Sequence, residues 1–97
     1  MKQILIRDIS YEVIRDDNKC LEKVNLNDIM TDYFDPFDYV LGDFSYDKVR
    51  LKGYYDSNHK QVKKYNDYKN IDNYIKDYCS VGCNVFIIKK MKGQKEK

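Results

Sequence analysis

The side chains with the widest chemical range are three cysteines and a single histidine: Cys20, Cys79, Cys83 and His59. A structural zinc site takes four ligands of this kind, usually in short-spaced pairs. Cys79 and Cys83 have three residues between them, a workable spacing. But Cys79 falls on an apolar helical stripe, packing after a helix end accounts for Cys83, and Cys20 and His59 sit in weakly patterned segments. The expectation is free, buried or half-buried thiols and no metal. An odd cysteine count argues against a disulfide framework. Nucleophilic catalysis needs a cysteine or serine with a base in reach, and His59 lies in a polar loop. Asp43, between Gly42 and Phe44, is a carboxylate without an identified partner, which is too little for acid–base chemistry. No glycine-rich phosphate loop is present. These residues predict a protein that is not an enzyme and uses no cofactor.

Charge is more informative than catalytic residue types. The chain has 97 residues and a net charge of +2. Residues 1–47 are strongly acidic, 48–69 strongly basic, and 88–97 basic again. Such asymmetry suggests an anionic partner for the basic part, or two halves that neutralise each other. Arg50, Lys52 and Tyr54 alternate along one strand with Val49, Leu51 and Gly53, so the two sets face opposite ways. With Val49 and Leu51 turned to the core, Arg50 and Lys52 face away from it. The segment that follows adds Lys60, Lys63, Lys64, Tyr65 and Lys69. Lysine and arginine neutralise phosphates, and exposed tyrosine stacks on unpaired bases. This basic, tyrosine-containing face is the predicted site, with RNA or a ribonucleoprotein as partner. The competing expectation is a protein–protein adaptor that uses the acidic, tyrosine-rich surface, since tyrosine favours interfaces. Neither Ala nor Trp occurs, whereas ten Tyr do. That composition suits an AT-rich bacterial genome and weakens any single tyrosine as a sign of binding.

The elements that must position these residues follow from periodicity. Lys2–Arg7 and Ser10–Arg15 alternate as two strands of a tight hairpin. Leu26, Ile29, Met30, Tyr33 and Phe34 form one helical stripe behind an Asn25 cap, and Asp35-Pro36 stops it. Phe37–Phe44 and Lys48–Tyr55 form a second hairpin, where Gly42 and Gly53 suggest a bulge or a close approach. Ile71, Tyr74, Ile75, Tyr78 and Cys79 make a second stripe behind Asn70, with Gly82 placed for a left-handed helix end. Cys83–Met91 is a last strand. Val85 to Ile88 is apolar on both faces, as in a central, doubly covered strand. The predicted fold is a small monomeric α+β domain of order ββαββαβ, mainly antiparallel, with two short helices. It covers residues 1–92, followed by a disordered basic tail at 93–97. Leu26, Ile29, Met30, Val49, Leu51, Ile71, Ile75, Val85 and Ile87 are the expected core. No apolar run approaches the ~20 residues of a membrane span, and no secretory signal is evident, so a cytoplasmic protein without membrane contact is expected.

Several of these segments are familiar together. Asp38-Tyr39-Val40-Leu41-Gly42-Asp43-Phe44, Val49-Arg50-Leu51-Lys52-Gly53-Tyr54-Tyr55, Tyr78-Cys79-Ser80-Val81-Gly82-Cys83 and Val85-Phe86-Ile87-Ile88-Lys89-Lys90 resemble the YutD-like family, small proteins of low-GC Gram-positive bacteria. Tyr11-Glu12-Val13 resembles that family's early strand. Phe44 stands where the family usually has Trp, Ser45-Tyr46-Asp47 replaces a glycine-rich turn, and the 56–70 stretch matches poorly. The resemblance implies a bacterial cytosolic domain and no particular reaction.

Overall fold

The computed structural model describes residues 2–45, 48–78 and 83–91. Its strands are β1 (Gln3–Ile6), β2 (Ile9–Asp16), β3 (Tyr39–Ser45), β4 (Lys48–Tyr54) and β5 (Asn84–Lys90). Its helices are α1 (Leu26–Ile29) and α2 (Ile71–Tyr78). The order is the expected ββαββαβ, in one antiparallel sheet arranged β1-β2-β5-β3-β4. β5 sits at the centre, and Val85, Phe86, Ile87 and Ile88 are all buried, as continuous apolarity implies.

The first hairpin turns through Arg7 and Asp8, both left-handed with φ of 50° and 70°. Two left-handed residues make the turn whose twist matches paired strands, here without glycine. Tertiary contacts hold it. The Arg7 amide donates to Asn27 Oδ1 at 3.1 Å, and its guanidinium pairs with Asp35 at 2.8 Å. Further along β2 the register against β5 slips at Ile14, which is left at the surface.

The single helix expected across residues 26–34 is broken. α1 is one turn, Met30 is extended, and Thr31 restarts the chain by accepting from the Tyr33 amide before a 3-10 turn at Asp32–Phe34. Too short to form unaided, the segment follows its burial. Leu26, Met30 and Phe34 go inside, while Ile29 is 40% exposed and Tyr33 65% exposed. The expected caps also differ. The Asn25 side chain makes no cap bond, and Asn70 ends a 3-10 turn that Asp67 caps. Cys20 and Leu21 belong to an additional 3-10 segment after β2.

Both faces of the sheet are covered. On one, Val40, Phe86 and Ile88 pack with Tyr11, Met30 and Phe34, and with the half-buried Val49 and Leu51. On the other, Leu41, Val85 and Ile87 pack with Tyr54, Ile71 and the half-buried Tyr74 and Ile75. The two strand glycines mark close approach rather than bulges. The Phe86 ring lies against Gly42 and the Phe37 ring against Gly53, where a Cβ would sit 2.0 Å and 2.2 Å from ring carbons. The Gly82 helix end, Cys79 and the 93–97 tail lie outside the described residues.

Candidate binding surface along β4

β4 is an edge strand, paired among the described strands with β3 alone, and its direction fixes what it offers. The N–H and C=O of one strand residue point to the same neighbour, and successive residues point to opposite neighbours. The Tyr54 carbonyl accepts from Asp38 N–H at 3.0 Å, toward β3. The Tyr55 amide instead donates to Asn66 O at 2.7 Å, and its carbonyl accepts from Tyr68 N–H at 2.9 Å, away from β3. Residues 66–68 thus run alongside the edge for one parallel bridge, Tyr55 with Asp67. The pairing stops there because a turn draws the chain away. Lys63 N–H donates to Asn66 Oδ1, and Asn66 N–H to Lys63 O. With the register against β3 unbroken, Val49, Leu51 and Gly53 turn their backbone groups outward like Tyr55. Beside them lies a groove of about 500 Å³, walled by Tyr33, Phe37, Leu51, Tyr55, Lys63 and Tyr65. Tyr33 and Tyr65 are 65% and 67% exposed.

The side chains expected to form a free basic face are arranged differently from the expectation. Arg50, Lys52 and Tyr54 do point opposite to Val49 and Leu51, but that side carries its own apolar layer under α2. Arg50 Nε donates to Asp43 Oδ1 at 3.0 Å, across the strand pair that places them opposite. Asp43 is only 3% exposed, so Arg50 is the counter-charge of a buried carboxylate. Tyr54 is 1% exposed, a core residue with no face open for stacking. Lys52 is half-buried, its Nζ 5.0, 5.6 and 5.3 Å from the ring centres of Tyr54, Tyr65 and Tyr74. Burial alone pulls its pKa below that of an ordinary lysine. Lys60, Lys63 and Lys64 are exposed, and Lys69 leans 3.9 Å from Asp67. The Asp67 carboxyl is held below the usual range, first by a hydrogen bond from Ser57 and then by the Lys69 amide and charge. Lys89 and Lys90 do not extend this face, because β3 separates β5 from β4. Lys90 Nζ donates to Asp35 O at 2.6 Å, and Lys89 lies over Tyr39.

Lys52, Tyr54, Lys64 and Tyr65 come together with Asn73 and Tyr74 of α2 around a second cavity of about 570 Å³. Sequence reasoning missed Tyr33, Phe37 and Asn73. Tyr33 and Tyr74 had been placed on helical stripes, and the i, i+3, i+4 spacing of Asn70, Asn73 and Tyr74 was the signal for a polar–aromatic helix edge. The two described thiols, Cys20 and Cys83, lie apart. Cys20 is buried on one side of the sheet and Cys83 packs against the other, while His59 stacks on Tyr55 at 4.1 Å. Among the described residues, no three His, Cys, Asp or Glu side chains gather to hold a metal ion. Among them, too, no helix is long and apolar enough to cross a membrane.

The family model described as "Putative antitoxin YutD-like" matches residues 5–89. The chain belongs to the YutD-like family. It is similar to "Putative antitoxin YutD" of Bacillus subtilis (strain 168), with 27% identity over 89 residues, covering 92% of this chain and 98% of that protein. It is also similar to the solution NMR structure of protein yutD from B. subtilis, with a TM-score of 0.72 and 25% identity over 99% of this chain and 87% of that one. That likeness agrees with a small α+β domain built on a five-stranded antiparallel sheet. The YutD-like description names no catalytic activity.

Proposed function

We propose that this YutD-like chain is a non-enzymatic, cytoplasmic binding module that takes an extended segment of a protein partner along the free edge of β4. The observation that carries the reading is the Tyr55–Asp67 bridge. The edge already accepts one residue of strand from its own chain, and no other described strand pairs with it beside Val49 and Leu51. Strand addition of this kind draws affinity from main-chain hydrogen bonds and specificity from side-chain pockets. The groove supplies such a pocket, rimmed by Tyr33 and Tyr65, residues of the type that anchors interfaces. Lys48, Lys60 and Lys63 are exposed along the segment, which favours an acidic partner strand. The B. subtilis relative is described as a putative antitoxin, a description compatible with a binding module.

The second reading is contact with RNA or a ribonucleoprotein through Arg50, Lys52, Lys60, Lys63, Lys64, Tyr65 and Lys69. One observation favours it: Lys60, Lys63 and Lys64 are exposed near Tyr65 and form no ion pair among the described residues. Affinity capture from a bacterial lysate, with and without nuclease, separates the two. The strand-addition reading expects a protein retained after nuclease and lost with Tyr33→Ala or Val49→Pro. The proline removes an outward N–H without touching the β3 ladder. Capture that nuclease abolishes, or that both variants leave intact, would overturn it. Circular dichroism of each variant confirms that the fold persists.

A further inference from the structure

The cavity between β4 and α2 has an imbalance that the edge-strand reading does not use. Lys52 reaches into it, yet its side-chain nitrogen forms no hydrogen bond or ion pair among the described residues and is held only by ring faces. Two residues along the same strand, Tyr54 also lines the cavity, and its hydroxyl is buried without a partner among the described residues. Burial, and then the neighbouring Tyr74, raise its pKa far above the normal phenol range, so it stays an O–H donor at any ordinary pH. Buried polar groups without partners are rare and call for a physical account. Here both are donors, and the Lys52 ammonium, on the cavity lining, is the one a ligand can reach.

The rest of the cavity adds flat surfaces and a little more charge. Tyr65 presents an exposed ring at the mouth and Tyr74 a half-buried one on α2. Asn73 offers an amide, able to donate and accept at once. Lys64 stands at the rim, opposed there by Asp77, so the net local charge stays positive. A volume of about 570 Å³ is that of a site for a small organic molecule. Acceptor oxygens bearing negative charge, joined to a flat ring, satisfy all of these features together.

We infer that this cavity binds a nucleoside monophosphate, with a phosphate oxygen on Lys52 and the base against Tyr65. The source is either a free nucleotide or a nucleotide within single-stranded RNA, and the chemistry is shared. Arg50, committed to Asp43, takes no part.

The test is a titration of the full chain followed by NMR, with AMP, inorganic phosphate and an unstructured octanucleotide as separate probes. AMP is expected to give saturable shifts at Lys52, Tyr65 and Tyr74, at least tenfold tighter than phosphate alone. Lys52→Met keeps the apolar stem and is expected to weaken AMP tenfold or more. Tyr65→Leu should bring AMP down to the affinity of phosphate. An octanucleotide that binds tighter than AMP, with the same dependence on Lys52, identifies RNA as the source; equal or weaker binding identifies the free nucleotide. Absence of a saturable AMP shift, phosphate binding as tight as AMP, or octanucleotide binding indifferent to Lys52→Met would each overturn the inference. Tyr33→Ala, confined to the edge groove, should leave AMP binding unchanged, so the two readings stand or fall separately.

Discussion

Gly42→Ala should be among the most damaging single-methyl changes available to this protein. Gly42 sits opposite Phe86 on the central strand, and the Phe86 ring lies flat over the glycine. A Cβ at residue 42 would stand 2.0, 2.4 and 2.6 Å from three ring carbons, so the ring would have to retreat by more than an ångström to reach ordinary contact. It has nowhere to go. Phe86 is fully buried among Val40, Ile88, Met30 and Phe34. Overpacking of this kind costs about 1–3 kcal/mol. Alanine regains about 0.5–1 kcal/mol over glycine in a strand, and this clash is at the severe end, so the net loss should be about 2 kcal/mol. In urea, with a slope of about 1–2 kcal/mol/M for a domain this small, the midpoint should fall by about 1–2 M. Phe86→Leu removes the ring atoms in question at a cost of its own, and Gly42→Ala in that background should be neutral or slightly stabilising. The double-mutant cycle should therefore show a coupling of about 2 kcal/mol. A Gly42→Ala protein within 0.5 kcal/mol of the parent, or a coupling below that value, would refute the packing argument.

Three further outcomes are expected. Asp8→Gly should raise stability by about 1 kcal/mol in thermal or urea unfolding, because a left-handed φ of 70° strains aspartate and not glycine. Tyr54→Phe, without ligand, should leave stability equal or raise it by about 1 kcal/mol, a melting gain of several degrees, since it deletes a buried hydroxyl that has no partner among the described residues. Stability should fall as pH rises above about 10. There the unfolded chain loses tyrosine protons that the folded chain keeps, because burial, and then Asp35, push the Tyr11 phenol up to about 12. Tyr11 alone should remove about 2–3 kcal/mol by pH 12, read by urea unfolding across that range alongside phenolate absorbance. Flat stability up to pH 12 would contradict its burial.

The parts of the fold that the sequence announced are those where one physical signal dominates. The continuous apolar run at Val85–Ile88 implied a central strand, and β5 is central. The 71, 74, 75 stripe implied a helix, and α2 packs by Ile71, Tyr74 and Ile75. Where signals compete, the pattern misled. The 26–34 stripe satisfies helical spacing, yet Thr31 offers its own hydroxyl to the backbone and the helix ends after one turn. Alternation on β4 set Arg50, Lys52 and Tyr54 opposite Val49 and Leu51, but not what lay over them. A polar–aromatic strand face reads as solvent-facing unless the packing of α2 is known, and that depends on sheet order. Arg50 meets Asp43 only through the register of β3 and β4, which no local pattern encodes. The open edge of β4 is equally a property of topology.

β5 is last in the described chain and middle in the sheet, and this has a consequence for the making of the protein. Until residues 84–90 emerge from synthesis, the hairpins β1–β2 and β3–β4 have nothing between them. A lone hairpin is marginal in water, so most of the chain exists for seconds as two loose pieces with open edges. Folding is then a single closing event, and a nascent chain cut short before Asn84 yields no partly working product. The same architecture allows reassembly from two parts: a chain ending near residue 78 and a separate β5 peptide should each be unstructured alone, and order together when mixed.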